Sequence, residues 1–201
     1  MRAKTPSNPG RWTRRAVGLV GVTALVLCAC QSSSPISVYY HPNADLTAFQ
    51  RVAVLPLDNL TSERFAADRV REVLSVELAS MGAFEIVEAG EVNLAMRSNS
   101  VQAVSDIGPD LIKKLGQDLK AQAVVMGSVM EYRERQNGNL VIPEIAVTLR
   151  LVETETGVVV WSASDSRKGE DVWARLFGVG EESQAVSVRE LLRDLIDTLF
   201  A

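Results

Sequence analysis

Reactive side chains are scarce in this chain. Its 201 residues hold two cysteines, Cys28 and Cys30, and one histidine, His41. A lone imidazole with no cysteine partner cannot build a zinc site. No serine lies in a G-x-S-x-G elbow, and the chain lacks a histidine to act as its base. The acidic cluster Asp165, Glu170 and Asp171 lacks the alternating ligands of a calcium loop. No cofactor or metal is therefore expected. Before Cys30 there is no Asp or Glu, whereas Arg2, Lys4, Arg11, Arg14 and Arg15 all lie there. Setting those five aside from 21 basic residues, against 25 acidic ones, leaves the remainder a formal charge of −9. Such a body has no attraction for phosphate backbones, which need clustered Lys and Arg. Nucleic acid is excluded as a partner, and Lys113–Lys114 and Arg167–Lys168 read as solvated faces. There is no internal repeat, and no apolar run reaches the roughly 20 residues of a good membrane span.

What is present at the start of the chain decides the compartment. Residues 1–15 form a basic region and Ala16 to Leu27 an apolar stretch of signal-peptide length. Leu27-Cys28-Ala29-Cys30 then resembles the lipobox of bacterial lipoproteins: an aliphatic residue, two small residues and an obligatory cysteine. That resemblance implies a diacylglycerol on the Cys30 thiol and cleavage before it, a reaction that needs a thiolate nucleophile. Several acyl chains on one residue give stable anchoring where one is marginal. Cys28 is the rival position, but Leu27 directly before it is large, whereas Ala29 before Cys30 is small. An ordinary secretory signal is the alternative reading. Gln31, where an Asp would retain a lipoprotein in the inner membrane of enteric bacteria, favours the periplasmic face of the outer membrane. The mature chain would have no disulfide, so its stability must come from its core.

The expected organisation is a signal peptide over residues 1–29, a lipidated cysteine with a polar arm over residues 30–48, and one α/β periplasmic domain over residues 49–201. With 47% hydrophobic residues the body can bury a real core. Ile36 to Tyr40 reads as a strand or extended arm and His41-Pro42-Asn43 as a turn. RVAVLPL, from Arg51 to Leu57, is apolar throughout, the pattern of a strand covered on both faces. Ser62 can cap a helix whose face carries Phe65, Ala66, Val70, Val73, Leu74, Leu78 and Met81 and which stops at Gly82. FEIV (Phe84 to Val87) is a short strand, Glu91 to Ser98 a short helix, and Pro109 opens another helix with Leu111, Ile112, Leu115 and Leu119 inward. Ala123 to Tyr132 is a strand. Leu140 to Val152 alternates, with Ile145, Val147, Leu149 and Leu151 opposite Thr148 and Arg150. ETETG joins it to Val158–Ser164 as a hairpin. Val188 to Leu199 forms a last amphipathic helix. The order β-α-β-α-α-β-β-β-α describes a mixed β-sheet flanked by helices.

RVAVLPLDNLT, FEIVE, LKAQAVVMGSV and VTLRLVETETGVVVWSAS, taken in order behind a lipobox, resemble a superfamily of bacterial envelope lipoproteins. It holds the CsgG-like curli-secretion, LpoB-like and PelC-like families and the amino-terminal domain of TolB. The resemblance runs from about Arg51 to the carboxyl end. It implies a three-layer α/β domain without catalytic residues, working through protein contacts and often through ring-shaped oligomers. Pore-forming members add long amphipathic hairpins, with about 9–11 alternating residues per spanning strand; this chain has no spare insertion of that kind. The function implied is a non-catalytic, membrane-anchored adaptor or assembly factor for secretion, polysaccharide export or peptidoglycan synthesis. Its partners would be the membrane, through the lipid on Cys30, and an envelope protein. A homo-oligomeric collar around an export channel is the alternative, and a small periplasmic hydrolase a more distant one.

Few other residues invite a role. His41 reads as a solvated turn residue. Asp58 and Asn59 follow the first central strand, where α/β folds place ligands, but here the segment reads as a structural turn. Phe177-Gly-Val-Gly180 lacks the context of a phosphate cradle. Trp161 alternates inward and should be core. Trp173 and Phe177, beside Val172 and Leu176, are the expected contact surface for a neighbouring subunit or the membrane interface.

Overall fold

The computed structural model describes residues 36–101, 103–137, 140–168 and 183–200. The RVAVLPL run is apolar at every position because its strand lies between two helical layers. Strand β1 spans Ser37–Tyr40, β2 Arg51–Val54 and β3 Asp58–Asn59; helix α1 covers Ala66–Ser80, and β4 is Glu85–Ile86. Helices α2 (Ala89–Ser98) and α3 (Pro109–Leu119) follow, then the long strands β5 (Ala123–Asn137), β6 (Leu140–Glu153) and β7 (Val159–Lys168), and finally α4 (Gln184–Leu199). One seven-stranded sheet runs β1-β7-β6-β5-β2-β4, with β3 pairing β5 beyond the end of β2. The β2, β3, β4 and β5 pairings are parallel and those of β5, β6, β7 and β1 antiparallel. The fold is the three-layer α/β domain expected.

Each face of the sheet has its own core. On one, α1 and α4 bury Val70, Leu74, Leu78, Leu191, Leu192 and Leu195 against Val52, Val125, Ile145, Leu149 and Trp161. On the other, α2 and α3 bury Val92, Met96, Ile112 and Leu115 against Ala53, Leu55, Val124 and Met126. Burying one Leu-sized side chain is worth about 1.5–3 kcal/mol, and these two cores hold a domain whose described residues include no cysteine. Trp161 is 2% exposed, and its Nε1 donates to Thr198 Oγ1 at 3.3 Å. Gly82 takes a left-handed φ of 67° and ends α1 where the sequence placed its stop.

Past α2 and α3 the same sheet face carries a row of hydroxyls. Asp58, Ser128, Thr148, Ser164 and Ser37 stand in register across β3, β5, β6, β7 and β1. Thr148 and Ser164 share a hydrogen bond of 2.9 Å. In the next row Arg150, Ser162 and Tyr39 are in register.

Two local expectations are corrected. Ser62 does not cap α1, which starts after Phe65 without a side-chain cap. Residues 59–64 are instead held in a turn, so the helix begins later. For the same reason Phe65, expected on the buried face, is 49% exposed.

Candidate protein-contact surface

The turn after β3 is the most heavily wired loop among the described residues. Asn59 Nδ2 donates to the carbonyls of Glu63 (2.8 Å) and Arg64 (3.2 Å). Its Oδ1 accepts from Thr61 N (3.1 Å) and Thr61 Oγ1 (2.8 Å). Thr61 Oγ1 in turn accepts from Glu63 N at 3.1 Å. The backbone N–H of Leu60 is tied to Val129 O on β5 at 2.9 Å. A loop so constrained would normally hide its apolar side chains. This one leaves Leu60 67% and Phe65 49% exposed, with the Arg64 guanidinium 5.2 Å from the Phe65 ring centre. Beside Val129, the β5–β6 register shifts at a bulge, and Met130 there is also exposed. Aromatic and Arg side chains on a pre-ordered backbone are the composition of binding hot spots, because little ordering entropy remains to be lost on docking.

The charged clusters elsewhere hold the fold. Arg71, half-buried between α1 and α2, donates Nε and Nη2 to Val54 O at 3.1 and 2.8 Å and Nη1 to Asn93 Oδ1 at 3.1 Å. Burial lowers its pKa, partly opposed by Asp68. Glu77 on α1 is buried, with Oε2 2.7 Å from Arg193 Nε and Oε1 3.3 Å from Arg189 Nε on α4. The hydrogen bond Arg193 donates to Glu77, then the Glu77 charge, raises the Arg193 pKa. Arg133 meets the buried Glu144 at 2.6 Å across the β5–β6 hairpin. A cleft of about 570 Å³ between α3 and the β6–β7 turn is lined by Lys113, Gln117, Lys120, Gln122, Glu153 and Glu155, among others. Its floor is structural: Thr154 Oγ1 donates to Ala121 O and sits against Gly116. Among the described residues no cluster of three His, Cys, Asp or Glu side chains is placed to hold a metal.

Of the residues singled out from the sequence, Asn59 is the turn-former expected, and Asp58 pairs Ser128 in β3 rather than standing in a loop. The His41 Nδ1 accepts from Asn43 N at 3.3 Å in a turn. Asp165 lies within β7, while Glu170 and Asp171 fall outside the described residues. Cys30, Trp173 and Phe177 also lie outside them. Leu60, Phe65 and Met130 were not foreseen as a surface. The signal was there in Asn59 and Thr61, whose turn chemistry displaces the helix start and turns Phe65 outward.

Residues 31–166 match the family described as peptidoglycan-synthase activator LpoB. The chain belongs to the LpoB family. Its members are activators of envelope synthesis rather than catalysts, and they are periplasmic lipoproteins anchored to the outer membrane. That is the localisation of this chain, and no helix among the described residues is long and apolar enough to cross a membrane. Two structures of dodecameric PelC from Paraburkholderia phytofirmans share its fold, with TM-scores of 0.58 and 0.55 and identities of 20% and 21%. They cover 83% of this chain and 98% and 97% of theirs. Lipoprotein GNA1162 from Neisseria meningitidis has a TM-score of 0.54 at 18% identity, over 75% of this chain and 98% of its own. Comparison with curated proteins finds no match. The family match supports the LpoB-like part of the resemblance, and the PelC structures share the fold; the CsgG-like and TolB-like parts gain nothing from these findings.

Proposed function

We propose that this LpoB-family chain is a non-catalytic activator that binds a peptidoglycan synthase through the Asn59–Phe65 turn. The observation that carries the reading is the family match, which spans residues 31–166 and so includes this turn and the strands that hold it. The exposed Leu60 and Phe65 on a rigid backbone supply the contact chemistry. Cys30 carries the lipid in this reading, residues 1–29 are removed, residues 30–48 form the arm and residues 49–201 the working domain. The test is polymerisation by a purified bifunctional peptidoglycan synthase with and without the lipidated chain. Stimulation by the native chain, lost in Leu60→Asp with unchanged melting, supports it. Equal stimulation by both places the contact elsewhere, and none by either removes the activator reading.

A second reading is favoured by the fold match to PelC dodecamers over nearly their whole length: a homo-oligomeric collar of a polysaccharide export channel. Trp173 and Phe177 would then lie between neighbouring subunits. Light scattering separates the two, since a closed ring and a monomer differ severalfold in mass. A Trp173→Ala chain that keeps its mass and membrane behaviour would remove that contact role.

A further inference from the structure

We propose that the β1 edge of the sheet, with the hydroxyl-rich strands beside it, rests on the phospholipid headgroups of the membrane that holds the lipid anchor. This rests on lipidation at Cys30. Ser37 follows Cys30 by seven residues, and an extended chain reaches at most ~3.6 Å per residue. The start of β1 is therefore held within about 25 Å of the lipid.

The chemistry of that edge suits its position. The body carries a formal charge of −9, which anionic headgroups repel, yet from Gln31 to Ala44 no acidic residue occurs; Asp45 is the first. Tyr39 on β1, on the same face as Arg150, is 49% exposed, whereas Tyr40 points to the other face and donates its hydroxyl to Thr198 O. Tyrosine favours membrane interfaces because its ring is apolar and its hydroxyl stays wet. In register with Tyr39, two strands in from the edge, stands Arg150. Strands are about 4.8 Å apart, so the Arg150 backbone lies about 10 Å from β1. Arg150 is exposed, and among the described residues it makes no ion pair, whereas Arg51, Arg133, Arg135, Arg167, Arg189 and Arg193 all do. Towards the β1 edge Ser37, Ser164 and Thr148 add hydroxyls that can meet phosphate oxygens. The acids nearest this face stand at its margins: Asp58 at the far end of the hydroxyl row, and Glu131 3.9 Å from Arg133. A cation with no ion pair among the described residues, in register with Tyr39 and close to the tether, fits a glycerophospholipid phosphate.

The experiment uses the mature lipidated chain in vesicles of phosphatidylethanolamine and phosphatidylglycerol. A polarity-sensitive fluorophore is attached at Ser37→Cys or Ser166→Cys, or at Glu72→Cys on the outer side of α1, and its access to aqueous iodide is read. The expected result is shielding at positions 37 and 166 and full access at 72. Arg150→Gln should weaken the docked state about fivefold, the factor matching ~1 kcal/mol per basic side chain at an anionic surface. Equal access at all three positions on a chain whose mass confirms the lipid overturns the docking and leaves the anchor standing. A mature mass without lipid overturns both.

Discussion

Glu77 offers the sharpest test of how the α1–α4 layer is held. Its side chain is 6% exposed, while those of Arg189 and Arg193, its two partners on α4, are 60% and 58% exposed. Each pair gains Coulomb attraction, weakened by the water around the exposed arginines. Most of that is offset by stripping water from the carboxylate, and exposed arginines regain hydration when released. Replacing the glutamate by Gln should therefore cost only about 1–2 kcal/mol, the scale of a lost charge-assisted hydrogen bond. Glu77→Leu should come out near neutral, because an apolar group of similar size suits the site. Removing both arginines is the opposite case, since it strands a buried carboxylate, and that costs about 3–5 kcal/mol. Urea unfolding at neutral pH measures all three, together with the single Arg189→Gln and Arg193→Gln variants. Because the arginines share one carboxylate, their double loss should exceed the sum of the single losses. A Glu77→Leu variant less stable than the double-arginine variant, or strictly additive arginine losses, would refute this account of the cluster.

Three further outcomes follow from particular contacts. Asn59→Ala removes the bonds that fix the turn after β3, so synthase stimulation should fall while thermal unfolding shifts by no more than a few degrees; unchanged stimulation would show that the turn need not be rigid. Gly127→Ala would set a Cβ 2.1 Å from Thr148 O in the neighbouring strand, so the β5–β6 pairing must part and the soluble yield should collapse; a well-folded variant would contradict the strand spacing. Asp45 is held below the usual aspartate range by the Thr47 hydroxyl, then by the Thr47 N–H. A depressed folded pKa stabilises above the unfolded value, and the benefit is lost as pH falls through the folded one. NMR titration should accordingly place its midpoint under that of a free aspartate.

Periodicity made much of the fold legible. RVAVLPL announced a strand covered twice, and the inward set of Leu140 to Val152 predicted which side chains meet Trp161. ETETG marked the hairpin, and Gly82 and Pro109 marked where helices stop and start. Each is local chemistry read within about ten residues. What stayed hidden depends on partners far along the chain. Glu77 reads as an ordinary polar-face residue until Arg189 and Arg193 cross over it from more than a hundred residues away. The hydroxyl row exists only through strand register, because Ser37, Ser128, Thr148 and Ser164 share no pattern in sequence. The two-residue β3 is set by β5 rather than by its own propensity, and Phe65 follows helical spacing although the turn before it keeps it out of the helix.

The β1 edge and the turn after β3 stand apart across the sheet, and this makes them separable by experiment. From β1 to β3 the order is β1, β7, β6, β5, β3, four spacings of about 4.8 Å. The Asn59–Phe65 turn thus stands about 19 Å across the sheet from the edge assigned to the membrane. With that edge against the bilayer, the exposed Leu60 and Phe65 belong to a turn four strands away from it, where a partner in the periplasm could reach them. The short tether then acts by raising the effective concentration of the turn near such partners, not by contributing contacts. Leu60→Asp should accordingly abolish synthase stimulation while fluorophores at positions 37 and 166 stay shielded. Arg150→Gln should expose those fluorophores while stimulation by detergent-solubilised chain is unchanged. If either substitution moves both readouts together, the edge and the turn do not act independently and the arrangement is wrong.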